Sequence, residues 1–230
     1  MTTLTIAPAA SNDKTNRALG TIVVFSKPAQ PRKSDSANLQ ELFESAAFEQ
    51  HFKPESTIIL HGDQASAIYL VVSGTIRCCT IDPDGGRQIF SFAKSGDYVG
   101  ISDIDTSHFT AEAVDHVIVR SLSRTVVEQA LAVNSALRKD VRSRMHNLLV
   151  QREKQLFSLI SQKAPERLLA FLHDFAASRG TSGFIVLPMS RQDIGDHLGM
   201  TMETASRAFG ALKARGAIEM TTADKYRLVV

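Results

Sequence analysis

Glu203, Ser206 and Arg207 fall within TMETASRAFGALKARG, and at 3.6 residues per turn their spacings of three and four bring all three to one side of a helix. These side chains can read base edges. An arginine fork bonds O6 and N7 of guanine together, a carboxylate accepts from the N4 amine of cytosine, and a hydroxyl donates or accepts. The opposite side carries Ala205, Phe209 and Leu212, so the segment is apolar where it must pack. Taken alone, Glu203 and Arg207 also suit an exposed i, i+4 ion pair worth about 0.2–0.5 kcal/mol.

The preceding stretch, LPMSRQDIGDHLGM, decides between these uses. Ser190 with Asp193 three residues on is a capping signature, and Pro188 ends whatever comes before. Ile194 and Leu198 supply a buried stripe, Gly195 permits close packing, and Gly199 suits a left-handed residue past the helix end. Thr201 can cap the next helix. Two short helices joined by a glycine-bearing turn predict a helix-turn-helix, whose second helix presents its first turns to the major groove. Glu203, Ser206 and Arg207 occupy those turns. Ser190, Arg191, Thr201 and Thr204 near helix starts, with Lys213 and Lys225, are expected at phosphates, where contacts position rather than specify. The segment after Arg215 reads as a short hairpin, the wing of a winged helix.

DIGDHLGMTMETASRAFGALKARGAI resembles the helix-turn-helix of the Crp/Fnr superfamily of bacterial transcription regulators. Its E-x-x-S-R form is similar to the Fnr/FixK branch; in the Crp branch the serine position is usually glycine and an arginine precedes the glutamate, where this chain has Ser206 and Met202. Fnr proteins proper use an N-terminal cysteine-rich stretch to help ligate an iron–sulfur cluster. Residues 1–50 contain no cysteine, which moves the resemblance toward FixK-like members. The resemblance implies a homodimeric activator reading a TTGAT-type half-site as an inverted repeat. It also implies a role in oxygen-limitation or nitrogen-metabolism control, and a contact with RNA polymerase through the turn carrying Asp82, Asp84 and Arg87. The same turn has the residues any hairpin needs.

The rest of the chain must position these groups. Residues 1–40 are rich in Ala, Ser, Thr, Pro and Lys and read as a mostly flexible tail. Residues 41–123 carry short runs (TIIL, AIYLVV, TIRCCTI, QIFSF, HVIVRSL) separated by glycines, which predict an antiparallel barrel or jelly roll. Their spacing resembles the β-roll of cyclic-nucleotide-binding domains. Residues 124–161 predict a long helix with a narrow apolar seam of Leu137, Val141, Met145, Leu148, Leu156 and Leu159, interrupted at Arg152. Pairing with a second copy would bury that seam; packing on the chain's own β-domain is the other use. Residues 162–230 form the winged helix-turn-helix. The expected fold is therefore α+β.

Composition narrows the alternatives. The 230 residues carry 26 Lys and Arg against 24 Asp and Glu, so this is no polycation. Basic residues instead crowd the last stretch, at Arg191, Arg207, Lys213, Arg215, Lys225 and Arg227. No apolar run approaches the ~20 residues of a membrane span, and no signal-peptide segment is recognised, so a cytoplasmic location is expected. In cAMP-binding members of the resembled family a Gly-Glu pair holds the ribose and an Arg-Ser pair clamps the phosphate. Here the first motif reads Gly96-Asp97-Tyr98-Val99-Gly100 and the clamp region reads SHFTAEAV without arginine. A phosphate left without a cation costs several kcal/mol to desolvate, so cAMP binding is not expected. Cys78 and Cys79 are adjacent and read as half-buried strand thiols. The seven histidines show no metal-ligand spacing and no enzyme motif is present, so neither cofactor nor catalysis is expected. Two alternatives remain: gating by haem, nitric oxide or a small ligand in the β-roll, and a ligand-binding module whose helices contact protein rather than DNA.

Overall fold

The computed structural model describes residues 38–102, 105–180 and 183–229; of the tail expected over residues 1–40, residues 1–37 lie outside them. Helix α1 (Leu39–Ala46) already begins inside that expected tail, with the Asn38 side chain accepting from the Glu41 N–H at 3.0 Å. Leu39, Leu42 and Phe43 form its buried face.

Eight strands follow: β1 (Phe48–Phe52), β2 (Thr57–Ile59), β3 (Ala67–Ser73), β4 (Thr75–Ile81), β5 (Arg87–Lys94), β6 (Tyr98–Val99), β7 (Thr110–Ala113) and β8 (Val117–Ser123). They pair antiparallel into two four-stranded sheets, ordered β1-β8-β3-β6 and β2-β7-β4-β5, a jelly-roll-like arrangement. Val71, Ile76, Ala111, Ala113 and Val119 fill the space they enclose. The register of β4 against β5 shifts between Cys78 and Cys79. Both cysteines are free and buried, more deeply than the expected half-burial. Burial pushes the Cys78 thiol up to about 12, far from a reactive thiolate.

The expected single long helix is two. Helix α2 (Arg124–Val133) ends at Asn134, whose side chain caps α3 (Ser135–Ser161) by accepting from the Leu137 N–H at 3.0 Å. Leu137 (0% exposed) and Val141 (9%) pack with Leu39, Phe43, Ile68 and Leu122 in the chain's own core. The predicted seam is thereby corrected at its first two residues. Met145, Leu148 and Leu156 remain exposed, joined by Leu149, Phe157 (69%) and Ile160 (86%). Leu159 is half-buried against the backbone of Gly199. The interruption at Arg152 has a physical reason. Its guanidinium lies over the Phe90 ring, 4.9 Å from the centroid, and donates to the Phe90 carbonyl, so it faces β5.

Helix α4 (Ala164–Arg179), β9 (Ile185–Val186), α5 (Arg191–Leu198), α6 (Met202–Ala214), β10 (Ile218–Met220) and β11 (Lys225–Leu228) complete the chain. The last three strands make a small sheet ordered β10-β11-β9. Leu168, Leu172, Ile194, Leu198, Phe209, Leu212 and Tyr226 form its core, and the Tyr226 hydroxyl donates to the Leu172 carbonyl at 2.7 Å. Among the described residues no helix is long and apolar enough to cross a membrane.

Candidate nucleic-acid interface

The geometry of α5 and α6 follows from local chemistry. Ser190 and Asp193 form a full capping box: the Asp193 N–H donates to Ser190 Oγ at 3.0 Å, and the Ser190 N–H donates to Asp193 Oδ2 at 3.1 Å. Gly199 closes α5 with φ 61, a left-handed conformation that costs glycine little. A Cβ on Gly195 would sit 2.6 Å from the Met200 carbonyl oxygen, so only glycine lets the turn fold this tightly against α5. Thr201 then caps α6, accepting from the Thr204 N–H at 3.2 Å.

Helix α6 buries Ala205, Ala208, Phe209 and Leu212 and exposes Glu203, Ser206 and Arg207. Arg207 Nη2 donates to Thr204 Oγ1 at 3.0 Å, which holds the guanidinium along the exposed face. The Glu203 carboxyl is held below the usual carboxylate range by its own backbone N–H, by the Thr201 hydroxyl and by the charge of Arg207. An ionised Glu203 is an acceptor only, as a cytosine amine requires.

The residues expected at phosphates divide into two sets. Ser190, Thr201, Lys213 and Lys225 are exposed and Thr204 half-buried, at helix termini or on the wing. Arg191 is corrected: its guanidinium stacks on the Phe209 ring and donates to the Ala223 carbonyl, and burial pushes it down to about 10. It joins α5 to the core of α6 and to the wing rather than reaching outward.

The turn between β4 and β5 is also revised. Asp82 Oδ1 accepts from the Gly86 N–H at 2.7 Å and so builds the turn itself. Arg87 is half-buried and engaged. It donates to Asp193 Oδ1 at 2.6 Å and to Asp196 Oδ2 at 2.9 Å. Of the three residues expected at RNA polymerase, Asp84 alone is exposed without such a task among the described residues.

Arg87 belongs to a network that sequence reasoning missed. Asp193 is 4% exposed; while Oδ2 serves the cap, Oδ1 also meets Arg77 Nη1 of β4 at 3.4 Å. Arg77 Nε donates to Glu112 at 2.8 Å and its other amines to Glu55. Burial alone would lower the Arg77 pKa, but the hydrogen bonds to Glu55 and Glu112 and the charge of Asp193 outweigh it and raise it. Glu55 reaches this site from a left-handed backbone, φ 64, uncommon for a residue with a side chain. Beside the network, Gln88 Nε2 donates to the Asp196 carbonyl.

His197 extends the contact. Its Nδ1 lies 3.1 Å from the Ile89 carbonyl oxygen and 3.3 Å from Gln155 Nε2, and its ring packs on Phe92 and Phe171. Burial, opposed by the Ile89 hydrogen bond and aided by the charge of Arg152, pushes it down to about 4. Between pH 6.5 and about 4 the unfolded chain binds a proton on this imidazole that the folded chain refuses. Stability therefore falls as pH drops through that window, by at most about 1.4 kcal/mol per pH unit from this group. In thermal unfolding, His197→Gln should melt lower at neutral pH yet lose less on acidification to about pH 5. An equal acid-induced drop in both proteins would remove His197 as the cause.

The β-roll encloses a cavity of about 130 Å³ between Ile58, Tyr69, Gly100, Ser102, His108 and Phe109. Among the described residues lining it there is no lysine or arginine, and Asp63 adds a carboxylate. Arg124 nearby is already bonded to Glu128 and to the carbonyls of Ala65 and Ser102. These groups do not fit a cyclic phosphate, which needs a cation and more room. Among the described residues no group of three or more His, Cys, Asp or Glu could hold a metal ion.

Residues 166–230 match the model of the Crp-like helix-turn-helix domain and residues 49–134 that of the cyclic nucleotide-binding domain. The chain is 34% identical over 188 residues to the nitrogen fixation regulation protein FixK of Bradyrhizobium diazoefficiens, covering 80% of this chain and 79% of that one. It is 32% identical over 179 residues to electron transport regulator A of Shewanella oneidensis, covering 75% and 71%. Among solved structures, FixK2 from Bradyrhizobium japonicum superimposes with a TM-score of 0.78 at 30% identity, covering 80% of this chain and 93% of that one.

Proposed function

Because the chain belongs to the Crp/Fnr superfamily of transcription regulators, in its FixK-like branch, we propose that it acts as a homodimeric activator reading a TTGAT-type inverted repeat. The observation that carries this reading is the exposed set Glu203, Ser206 and Arg207 on the first turns of a helix whose other face is fully packed. Each TTGAT half-site contains one G·C pair; Arg207 bonds its guanine, Glu203 accepts from its cytosine, and Ser206 addresses a neighbouring A·T pair. Ser190, Thr201, Thr204, Lys213 and Lys225 hold the phosphates. The protein works in the cytoplasm without a cyclic nucleotide. The names of its relatives support a place in the control of nitrogen fixation or electron transport. Contact with RNA polymerase at the β4–β5 turn rests on Asp84.

Dimerisation supplies the two-fold symmetry that an inverted repeat needs, with half-sites about 34 Å apart. Met145, Leu148, Leu149, Leu156, Phe157 and Ile160 leave an apolar stripe along α3 from Met145 to Ile160, and a contiguous exposed patch of this kind marks an association surface. Leu149→Glu combined with Phe157→Glu should give a monomer in sedimentation velocity. Binding to the palindrome should then fall by about 10²–10⁴-fold, to that of a single half-site, because the second contact is no longer intramolecular. A dimeric double variant would place the interface elsewhere. Fluorescence anisotropy tests the function itself, with a palindromic duplex, a single half-site and a scrambled duplex compared at fixed salt. Binding in the order palindrome, half-site, scrambled supports the reading, and equal binding to all three refutes it.

A further inference from the structure

We propose that Arg77 and Arg87 are positioning residues for DNA recognition: by gripping Asp193 and Asp196 of α5 they fix α6 relative to the β-roll and so set the half-site spacing that the dimer accepts. This rests on the DNA reading above.

The spacing between two recognition helices depends on two attachments. The first joins α3, which carries the dimer stripe, to the roll; it is a packed core of Leu137 and Val141 against α1, β3 and β8. The second joins the helix-turn-helix to α3 and the roll. Along the chain it runs through Gln162 and Lys163, a junction braced by Arg167 Nη1 donating to the Leu159 carbonyl at 3.1 Å and by Leu159 against Gly199. A single chain crossing of this kind leaves rotation of the following unit open. The contacts of α5 with β4 and β5 oppose that rotation: the His197 ring on Phe92, and the polar grip of Arg77 and Arg87 on Asp193 and Asp196.

Those contacts have the geometry of a clamp. Arg87 addresses two carboxylates one helical turn apart on α5, Asp193 through Nη2 and Asp196 through Nε. Arg77 backs the same Asp193 oxygen and is itself fixed by Glu55 and Glu112. Asp193 is the N3 residue of α5, so its carboxylate locks the helix start in the same act. Helix α5 in turn holds α6 through the Gly195–Met200 approach. A rotation of α5 thus becomes a displacement of Glu203, Ser206 and Arg207.

Spacing is where rigidity of this attachment is read. One extra base pair moves a half-site by about 3.4 Å and turns it by about 35° around the duplex axis. A clamped helix-turn-helix cannot follow both changes, whereas a loosened one can. The network therefore sharpens the preference for one spacer rather than supplying affinity at every site.

The test measures binding of the full chain to TTGAT palindromes with spacers of two to six base pairs. Wild type is expected to prefer one spacer at least about 100-fold over its neighbours. Arg87→Gln removes the grip on both carboxylates and Asp196→Ala removes one of its two anchors, each leaving the capping box, and both should reduce that ratio to below about 10-fold. Arg87→Lys, which keeps the charge without the fork, should give an intermediate ratio. A role in folding alone would lower the active fraction by the same factor at every spacer and leave the ratio unchanged, and that outcome overturns the proposal. So does an unchanged ratio in Asp196→Ala, which leaves Arg87 no acceptor at that position, with its melting curve intact. A wild type that prefers no palindrome over scrambled DNA refutes instead the DNA reading on which this rests.

Discussion

Arg207→Ala is expected to weaken binding to the TTGAT palindrome by about 30-fold to 10⁴-fold. Loss of one bidentate base contact costs about 1–3 kcal/mol, and a symmetric dimer loses it in both half-sites. The side chain is exposed and, among the described residues, bonds only Thr204 Oγ1, within its own helix, so thermal stability should stay within about 0.5 kcal/mol of wild type. The dependence of affinity on salt should also stay nearly constant, because no phosphate charge is removed. Lys213→Ala gives the contrasting pattern: weaker binding to all sequences and a salt slope shallower by about one per subunit. Anisotropy titrations over several salt concentrations separate the two. Equal losses on specific and scrambled duplexes would show Arg207 to be a phosphate contact and remove it as a base reader.

The largest expected loss of stability comes from Asp193→Ala. Removing one partner from a buried ion pair typically costs about 3–5 kcal/mol, since the remaining charge is stranded. Arg77 retains Glu55 and Glu112 here, and Arg87 retains Asp196, so the lower end applies. Loss of the reciprocal cap adds about 1 kcal/mol. A total near 4 kcal/mol lowers the melting temperature by about 8–16 °C in a chain of this size. Asp193→Asn keeps one acceptor oxygen, enough for the cap or for an arginine but not both, and should fall by less than Asp193→Ala. A melting temperature for Asp193→Ala within about 2 °C of wild type would mean that the network contributes little to folding.

What the sequence made legible was local. The capping box at Ser190 and Asp193, the glycine at 199 and the E-x-x-S-R spacing are signals within a single helix or turn, where periodicity and backbone preference act directly. The strands of the β-roll were readable for the same reason, as short runs bounded by glycine. Helix α1 was hidden because two turns of helix make a weak periodic signal; its Asn38 cap and the Leu39, Leu42, Phe43 spacing were the available clues. The break at Asn134 was likewise visible only as a single capping residue inside an apolar pattern.

The remaining differences are tertiary. Leu137 and Val141 share the seam's spacing with Met145 and Leu148, and periodicity alone does not say which apolar neighbour each one meets. Arg87 and Asp193 are 106 residues apart, and Arg77 and Asp193 116. Asp193 had a sufficient local explanation as a cap, and Arg87 one in a turn, so neither called for a distant partner. Arg191 had the residue type and location of a phosphate contact, yet the Phe209 ring and the Ala223 carbonyl hold it inward.

The most direct measurement is an anisotropy titration of the aerobically purified, ligand-free full chain against a labelled TTGAT-N4-ATCAA duplex and its scrambled counterpart at physiological salt. Binding to the palindrome tighter than to the scrambled duplex by about 10³-fold or more is the predicted result, the range of a specific regulator. Equal affinity for the two duplexes would contradict the central claim that Glu203, Ser206 and Arg207 read this sequence.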